Sequence, residues 1–154
     1  MMKIGNKILR VQTCSSTNDI AKDLALAGEK EGTVIIAEEQ TKGRGTKGRS
    51  WYSPAKKGLY ASVILRPPSF LISFLPLAAG LAVSDACWRE LNITVKLKWP
   101  NDLLWRSKKL GGILCETSLA GDRVNYAVLG IGLNVNHNRE DFPPDIRDQA
   151  TSLK

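Results

Sequence analysis

The segment LGGILCETSLAGDRVNYAVLGIGLNV, residues 110–135, decides the fold class of this chain. Two apolar runs, at residues 110–119 and 124–135, flank the turn pair Gly121-Asp122. This pattern predicts a β-hairpin, in which the two strands run antiparallel. The sheet that contains the hairpin therefore cannot be the all-parallel sheet of an alternating α/β protein.

The chain before the hairpin combines short strand patterns with two helical patterns. We expect strands at residues 7–11, 33–38, 58–65, 95–99 and 103–105. One helix follows the capping candidates at residues 15–17, where Ser16-x-x-Asp19 approximates a capping box, and stops at Gly28. A second helix is expected at residues 75–91. The order β-α-β-β-α-β-β-β-β predicts an α+β domain with a mixed, largely antiparallel β-sheet and helices packed on one face.

Length and composition limit the class of protein. The 154 residues fit one domain, and 43% of them are hydrophobic, which is enough to bury a core. The net charge of +7 indicates an anionic partner. Residues 67–84 form the longest uncharged apolar run, but Pro76 and several serines interrupt it. We therefore expect a buried helix there and no membrane segment.

The cysteines and the histidine do not form a catalytic or metal-binding pattern. Cys14, Cys87 and Cys115 are far apart and odd in number, which argues against a disulfide framework or a metal site. The only histidine, His137, lies in a polar stretch, so a Cys-His catalytic pair is not expected. Reduced thiols, together with residues 1–12 that contain no apolar leader, predict a cytoplasmic protein.

A cationic glycine loop, GRGTKGR at residues 43–49, is followed by Trp51. Glycine lets the backbone bend and approach a ligand closely, and Lys and Arg side chains suit phosphate or carboxylate. The loop also matches G-x-G-x-x-G, but no acid lies between Glu39 and Asp85, where a dinucleotide-binding fold requires one. We interpret it as a segment ordered by an anionic ligand; the alternative is a mobile basic surface loop.

A second cluster, KWPND at residues 98–102, lies where a predicted strand ends. Pro100 breaks the strand, so Lys98, Asn101 and Asp102 are free to face a pocket. An aspartate in this position suits Mg²⁺ on a nucleotide, and a lysine suits phosphate. The alternative is a simple turn, which these residues taken alone favour, because Pro-Asn-Asp is favourable turn chemistry.

Two glycine-containing strands complete the pattern. In residues 108–114, KKLGGIL, Lys109 precedes paired glycines that indicate close approach by a ligand or another backbone. The alternative there is a hairpin lysine and a bulge. In residues 130–136, GIGLNVN, glycines and asparagines share one face of a strand, which suits a flat ligand such as a base. The alternative is a polar face turned to solvent.

Taken together, these clusters resemble the biotin protein ligases, the family of biotin–[acetyl-CoA-carboxylase] ligases. The matching segments run in family order: Ser16-Thr17-Asn18 and residues 40–51, 98–102, 109–116 and 130–136. The resemblance implies a biotin/lipoate ligase-like fold, distantly similar to class II aminoacyl-tRNA synthetases. It also implies a reaction in which biotin and MgATP form biotinyl-5′-adenylate. A lysine of the biotin carboxyl carrier protein of acetyl-CoA carboxylase then accepts the biotin.

The resemblance assigns roles to individual motif residues. Biotin contacts are implied for Ser16, Thr17, Asn18, Gln40, Arg44, Lys109 and Gly112. Nucleotide contacts are implied for Arg44, Arg49, Trp51, Lys98, Asn101, Asp102 and Asn134. Catalytic roles are implied for Lys109, Arg44, Arg49 and Lys98, and Asp102 is implied to reach the metal through Mg-ATP. Gly112 and Gly132 are implied to keep the pocket floor open.

The chain departs from the family pattern in three ways. The family loop commonly reads Gly-Arg-Gly-Arg-x-Gly-Arg, and Thr46 stands here in place of the second arginine, which helps to retain the adenylate in the family. No helix-turn-helix segment precedes Ser16, so a DNA-binding role is not expected. The family normally continues past residues 151–153 with a closing helix and an SH3-like domain. The catalytic domain at residues 1–154 is therefore expected to be incomplete at its C-terminal end.

Three other functions fit parts of this pattern. A lipoate or octanoate transferase of the same fold would use an acyl pocket without the arginine-rich loop. A binding module would retain biotin or its adenylate but turn over poorly. Nucleic-acid binding rests on net charge alone, because no recognition helix or aromatic sheet face is evident. The expected partners are biotin, ATP and the carrier protein, without DNA or membrane, and a homodimer remains an open alternative.

Overall fold

The computed structural model describes residues 3–154, which form a seven-stranded sheet and two α-helices. The elements in chain order are β1 Ile8–Cys14, α1 Thr17–Leu26, β2 Val34–Gln40, β3 Gly58–Leu65, α2 Leu75–Leu91, β4 Lys96–Lys98, β5 Asp102–Trp105, β6 Lys108–Ala120 and β7 Arg123–Asn134. Short 3-10 turns occur at Thr46–Gly48, Ser69–Phe74 and Arg139–Asp141.

The sheet has the strand order β1-β2-β3-β7-β6-β5-β4. β1 and β2 pair in parallel, and every other neighbouring pair is antiparallel. The hairpin predicted at residues 110–135 is present as β6 and β7, with Gly112 opposite Gly132 and Gly121 at a φ of +61° in the turn. The prediction of a mixed, largely antiparallel sheet in an α+β fold is confirmed.

Local sequence signals located most of the elements. β3 and α2 have the predicted bounds, whereas β1 and β6 extend beyond them. Ser16 caps α1, because its backbone is extended and its side chain accepts a hydrogen bond from the Asn18 backbone nitrogen at 3.3 Å. The capping box does not form as the sequence predicted, since the Asp19 carboxylate is bound by Arg44.

The two helices lie on opposite faces of the sheet, so the prediction of helices on one face is wrong. α1 packs in a buried cluster with one set of strand residues: Ala21, Ala25, Ile35, Ile64, Tyr126 and Val128. α2 packs in a second cluster with the alternate set, which includes Ala79, Cys87, Val34, Val63, Ala127 and Leu129. Neighbouring strand residues point to opposite faces. β2, β3 and β7 are apolar at both sets of positions, so both faces require a cover.

α2 also corrects a prediction, because it is not a buried helix. Among its residues only Ala79, Gly80 and Cys87 are buried, and Trp88 is 55% exposed. The small residues face the sheet because the approach is close: a Cβ on Gly80 would overlap the Leu97 side chain. By length and composition alone, Ser69–Leu91 could cross a membrane, a property that helices of soluble proteins share. Its buried face packs on the sheet of this domain.

Candidate ligand-binding site

A cavity of about 550 Å³ opens on the sheet face that carries α1. Its floor is formed by β6 and β7, one wall by the start of α1, and its cover by the cationic glycine loop. The neutral half of the pocket wall consists of Ser16, Thr17, Asn18 and Gln40. The cationic half consists of Arg49, Trp51, Lys98, Asp102 and Lys109, and Arg44 also lines the cavity. All the clusters that the sequence analysis singled out therefore meet at one cavity.

The neutral half is held by a continuous chain of hydrogen bonds. Thr17 donates to Gln40 Oε1 from its backbone nitrogen at 2.8 Å and from its hydroxyl at 3.1 Å. The buried Ser62 hydroxyl lies 2.7 Å from Thr17 Oγ1 and 2.5 Å from Asn18 Oδ1. Gln40 Nε2 donates to Ser53 Oγ at 2.9 Å. Because these groups are already paired and buried, this half is rigid before any ligand arrives.

Glycines on the floor make room for the groups above them. A Cβ on Gly130 would overlap the Asn18 side chain, and a Cβ on Gly132 would lie 2.5 Å from Trp51 Nε1. A Cβ on Gly112 would meet its nearest neighbours at 3.8 Å, which is ordinary van der Waals contact. The sequence analysis placed Gly130 on a strand face suited to a ligand but did not predict its contact with Asn18, which is 112 positions away in a separate element.

The cationic glycine loop is folded on itself and attached to the domain. The Gly45 nitrogen donates to the Arg49 carbonyl at 2.7 Å, and Lys47 has a φ of +57° at the tip. Arg49 donates to the Thr46 hydroxyl at 3.0 Å. Arg44 instead points back to the domain and binds the Asp19 carboxylate through two nitrogens, at 3.0 and 2.7 Å. The two predicted arginines therefore occupy different environments.

A second carboxylate, Glu116 of β6, completes the surroundings of Arg44. Glu116 Oε2 accepts from Arg44 Nη2 at 3.1 Å and from Asn18 Nδ2 at 2.7 Å, and Oε1 accepts from Lys22 Nζ at 3.1 Å. Hydrogen bonding to Arg44 lowers the pKa of Asp19 to about 2. Burial raises the pKa of Glu116, but the hydrogen bonds from Asn18, Lys22 and Arg44 outweigh it and hold that pKa below its ordinary value. Both acids are therefore ionised at neutral pH.

Lys109 and Asp102 form the centre of the cationic half. Lys109 Nζ lies 2.8 Å from Asp102 Oδ1 and 5.7 Å from the centre of the Trp51 ring. The ion pair is close but poorly aligned, so Asp102 Oδ1 is a buried oxygen without a hydrogen bond within residues 3–154. Trp51 Nε1 is also buried without a partner there. A polar ligand in the cavity would supply the hydrogen bonds that these buried polar atoms lack.

The remaining predicted residues lie around the same cavity. Lys98 lines it, as does Asn101, which donates to the Ile113 carbonyl at 3.2 Å. Asn134 lines it too, but its amide nitrogen donates to the Thr151 carbonyl at 3.0 Å and so supports the end of the chain. Residues 3–154 contain no group of three or more His, Cys, Asp or Glu side chains that could hold a metal. A cation here would thus need ligands from the substrate.

The sequence analysis assigned no part of the site to residues 142–150. Phe142, Ile146 and Ala150 line the cavity. The segment is fixed beside β6, where the Lys109 nitrogen donates to the Gln149 carbonyl at 2.7 Å. The signal that could have identified it was the spacing of Phe142 and Ile146 inside an otherwise polar stretch.

His137 supports this segment and is not exposed, although the surrounding sequence is polar. It is 3% exposed and stacks on Phe142 at a ring separation of 4.6 Å. Burial lowers its pKa, so the imidazole is neutral at pH 7. Burial also raises the pKa of Cys115 to about 11, which leaves that thiol protonated and unreactive.

Comparison with protein families identifies relatives over most of the chain. The model of the Biotin/lipoate A/B protein ligase family matches residues 9–134. A bifunctional ligase/repressor of Bacillus spizizenii is 40% identical over 152 residues, covering 97% of this chain and 47% of the relative. A biotin–[acetyl-CoA-carboxylase] ligase of Mycobacterium tuberculosis is 40% identical over 148 residues, covering 92% and 52% respectively. The chain thus spans about half the length of these curated relatives.

A solved structure shows the same fold. The biotin protein ligase from Aquifex aeolicus, in complex with biotin and ATP, superposes with a TM-score of 0.80 and 38% identity. The match covers 96% of this chain and 60% of that one. The similarity therefore extends over nearly the whole of this chain.

Proposed function

We propose that this chain, which belongs to the biotin/lipoate A/B protein ligase family, activates biotin with ATP and transfers it to a carrier-protein lysine. The observation that carries the proposal is the pairing of a neutral, hydrogen-bonded half with a cationic half in one cavity. Biotin has a neutral ureido ring and a carboxylate at the end of its chain, and ATP brings further anions. The two halves match these two chemistries.

The neutral half suits the ureido ring because it offers fixed hydroxyl and amide groups. Ser16, Thr17 and Asn18 begin α1, and Gln40 ends β2 beside them. Each keeps a hydrogen-bonding orientation set by its neighbours, so little conformational entropy is lost on binding. This is the arrangement expected for recognising a small, neutral, polar ring.

The cationic half suits the reacting groups. A carboxylate oxygen of biotin attacks the α-phosphorus of ATP, which forms biotinyl-5′-adenylate and releases pyrophosphate. Lys109 lies at the centre of this half and would stabilise the charge that both anions bring together. Lys98 and Arg49 would meet the remaining phosphates, and the Trp51 ring would contact the base.

Transfer then needs no enzyme nucleophile. The amine of a lysine on the biotin carboxyl carrier protein attacks the carbonyl of the mixed anhydride, an amide bond forms, and AMP leaves. Mg²⁺ would neutralise phosphate charge, and Asp102 would hold it together with the phosphates, as Mg²⁺ sites of one carboxylate and a nucleotide do. We further propose a cytoplasmic location, which suits the reduced cysteines.

The proposal is tested by biotin-dependent exchange of labelled pyrophosphate into ATP, catalysed by this 154-residue chain. We expect exchange with biotin and none with lipoate, because the neutral half is built for a ring with hydrogen-bonding groups. Exchange with lipoate alone would replace biotin by lipoate as the substrate. Biotin binding without exchange would reduce the chain to a binding module. Absence of both would contradict the proposal.

A further inference from the structure

We propose that Asp19 and Glu116 are positioning residues that make Arg44 a fixed anchor of the cationic glycine loop rather than a contact for phosphate. The inference rests on the proposed function, because it concerns which loop cations meet the ligand. Arg44 itself lines the cavity, but neither carboxylate does, so both act through Arg44. The resemblance assigned both Arg44 and Arg49 to nucleotide contacts, and their contacts in the structure differ.

The contacts of Arg44 are those of an anchor. Its guanidinium grips both oxygens of Asp19, on α1, and one oxygen of Glu116, on β6. A two-nitrogen grip on a carboxylate fixes orientation as well as distance. One side chain thereby attaches the loop to a helix and to the sheet at the same time.

Glu116 also connects the loop to the neutral half of the pocket. Its Oε2 accepts from Asn18 at 2.7 Å, and Asn18 is bonded in turn to Ser62. Its Oε1 accepts from Lys22 at 3.1 Å, which occupies the oxygen that Arg44 does not use. Glu116 is thus held from three directions and cannot follow Arg44 if the loop moves away.

The charges of this cluster already balance. Asp19 and Glu116 contribute two negative charges, and Arg44 and Lys22 contribute two positive charges. A phosphate that recruited Arg44 would have to break three hydrogen bonds and leave two carboxylates beside the incoming anion. Such a rearrangement is unfavourable, because like charges would be brought together in a partly buried site.

Arg49 is in the opposite situation. Its guanidinium donates to Thr46 only, and no carboxylate of residues 3–154 forms an ion pair with it. The backbone joins the two arginines, because Arg44 bridges to Ser50 and Gly45 bonds to the Arg49 carbonyl. Fixing Arg44 therefore sets where Arg49 and its free charge are presented to the cavity.

The variants Glu116→Gln and Asp19→Asn test the inference by whether the KM for ATP rises or falls. If Arg44 is an anchor, either variant loosens the empty loop, and ligand binding must then supply the ordering cost. We expect the KM for ATP in the exchange assay to rise about three- to tenfold, with kcat changed less than about twofold. If Arg44 were a phosphate contact restrained by its carboxylates, the same variants would release it and the KM would fall.

A second measurement does not depend on catalysis. Trypsin cleaves after Lys47 and Arg49 only when the loop opens locally, so its rate reports the anchor in the absence of ligand. We expect cleavage about five- to tenfold faster in both variants than in the wild type. Glu90→Gln, at an exposed position on α2, removes the same charge and serves as the matched control.

The outcomes separate the two proposals. The anchor is supported if the loop is cleaved faster in Glu116→Gln and Asp19→Asn while the thermal unfolding midpoints of both variants stay close to that of Glu90→Gln. This conclusion holds even if the wild type shows no exchange. In that case only the proposed function fails. Cleavage rates equal to the control in both variants, or a lowered KM for ATP, overturn the anchor while leaving the ligase proposal in place.

Discussion

The two halves of the pocket differ in how completely their polar groups are satisfied. In the neutral half, Thr17, Asn18 and Gln40 are hydrogen-bonded to one another through Ser62 or directly. In the cationic half, Trp51 Nε1 is buried without a partner within residues 3–154, and the buried Asp102 Oδ1 has its ion pair with Lys109 at 2.8 Å but no hydrogen bond. Buried polar groups are costly when unpaired. The difference indicates that the protein builds one half by itself and leaves the other for its ligands to complete.

The largest effect is expected from Lys109→Ala, which removes the central charge of the incomplete half. Losing one preorganised stabilising group typically lowers kcat by about 10²–10³-fold, and we expect pyrophosphate exchange to fall by that amount. Biotin binding measured by calorimetry without ATP should weaken by about tenfold or less, because the neutral half is intact. Lys96→Ala, an exposed lysine on β4, is the control. Equal losses in binding and exchange would contradict a division of the pocket into two halves.

The next largest effect is a loss of stability in Gly130→Ala, which disrupts the hydrogen bonds of the neutral half. The added methyl group would displace Asn18 from Ser62 and Glu116 and leave buried groups unpaired. We expect urea unfolding to show a loss of about 1–3 kcal/mol. Gly132→Ala is the matched variant on the other half, where the methyl group meets the Trp51 ring.

Gly132→Ala should lower stability by less than Gly130→Ala and should weaken ATP binding by more. Trp51 Nε1 has no partner to lose, whereas Asn18 is buried and bonded to the buried Ser62 and the half-buried Glu116. Unfolding curves and ATP titrations of the two variants, recorded side by side, decide the point. A reversed order of stability would mean that the chain of hydrogen bonds around Asn18 contributes little.

The sequence predicted what depends on neighbouring residues. The β6–β7 hairpin, the α2 bounds and the Ser16 cap follow from turn residues, periodicity and capping chemistry within a few positions. The faces of the helices could not be predicted, because strands such as β2 and β3 are apolar on both sides. Long apolar runs mark a strand without showing which helix covers each face.

The candidate site was predicted as a set of motifs but not as a set of contacts. The motif residues line one cavity, and Phe142 and Ile146 were missed because they reach it through backbone pairing far along the chain. The sequence also did not predict which residues bind Arg44. Glu116 is 72 positions away and Asp19 is 25 positions away. No local pattern distinguishes an anchored arginine from one that binds a phosphate.

A smaller effect is expected from Thr46→Arg, which adds the arginine that the family commonly has at this position. The Thr46 hydroxyl now accepts from Arg49 at 3.0 Å, so the variant removes this hydrogen bond, keeps the one from Arg49 Nε to the backbone carbonyl of residue 46, and adds a second charge over the cationic half. We expect release of biotinyl-5′-adenylate to slow about tenfold, equivalent to ~1.4 kcal/mol. Thr46→Ala removes the same hydroxyl contact without adding charge and should slow release much less. Equal release from Thr46→Arg and the wild type would show that position 46 does not control retention.

The smallest effect is expected on the pH dependence of stability, through the ion pair of Asp19 with Arg44 beside the two halves of the pocket. The pKa of Asp19 falls from its ordinary 3.8 to about 2 in the folded protein, chiefly through the hydrogen bond from Arg44. A lowered folded pKa means that the stabilisation is present above pH 4 and is lost as the pH falls toward 2. Asp19 is about one-third exposed, so solvent screening limits the contribution to roughly 0.2–1 kcal/mol. The unfolding free energies of the wild type and Asp19→Asn should therefore differ by this amount at pH 6 and converge between pH 4 and 2. Added salt should shrink the difference at pH 6. If the difference in unfolding free energy persisted unchanged at pH 2, Asp19 would act through its shape and neutral hydrogen bonds. The attachment of Arg44 would then not depend on the charge of Asp19.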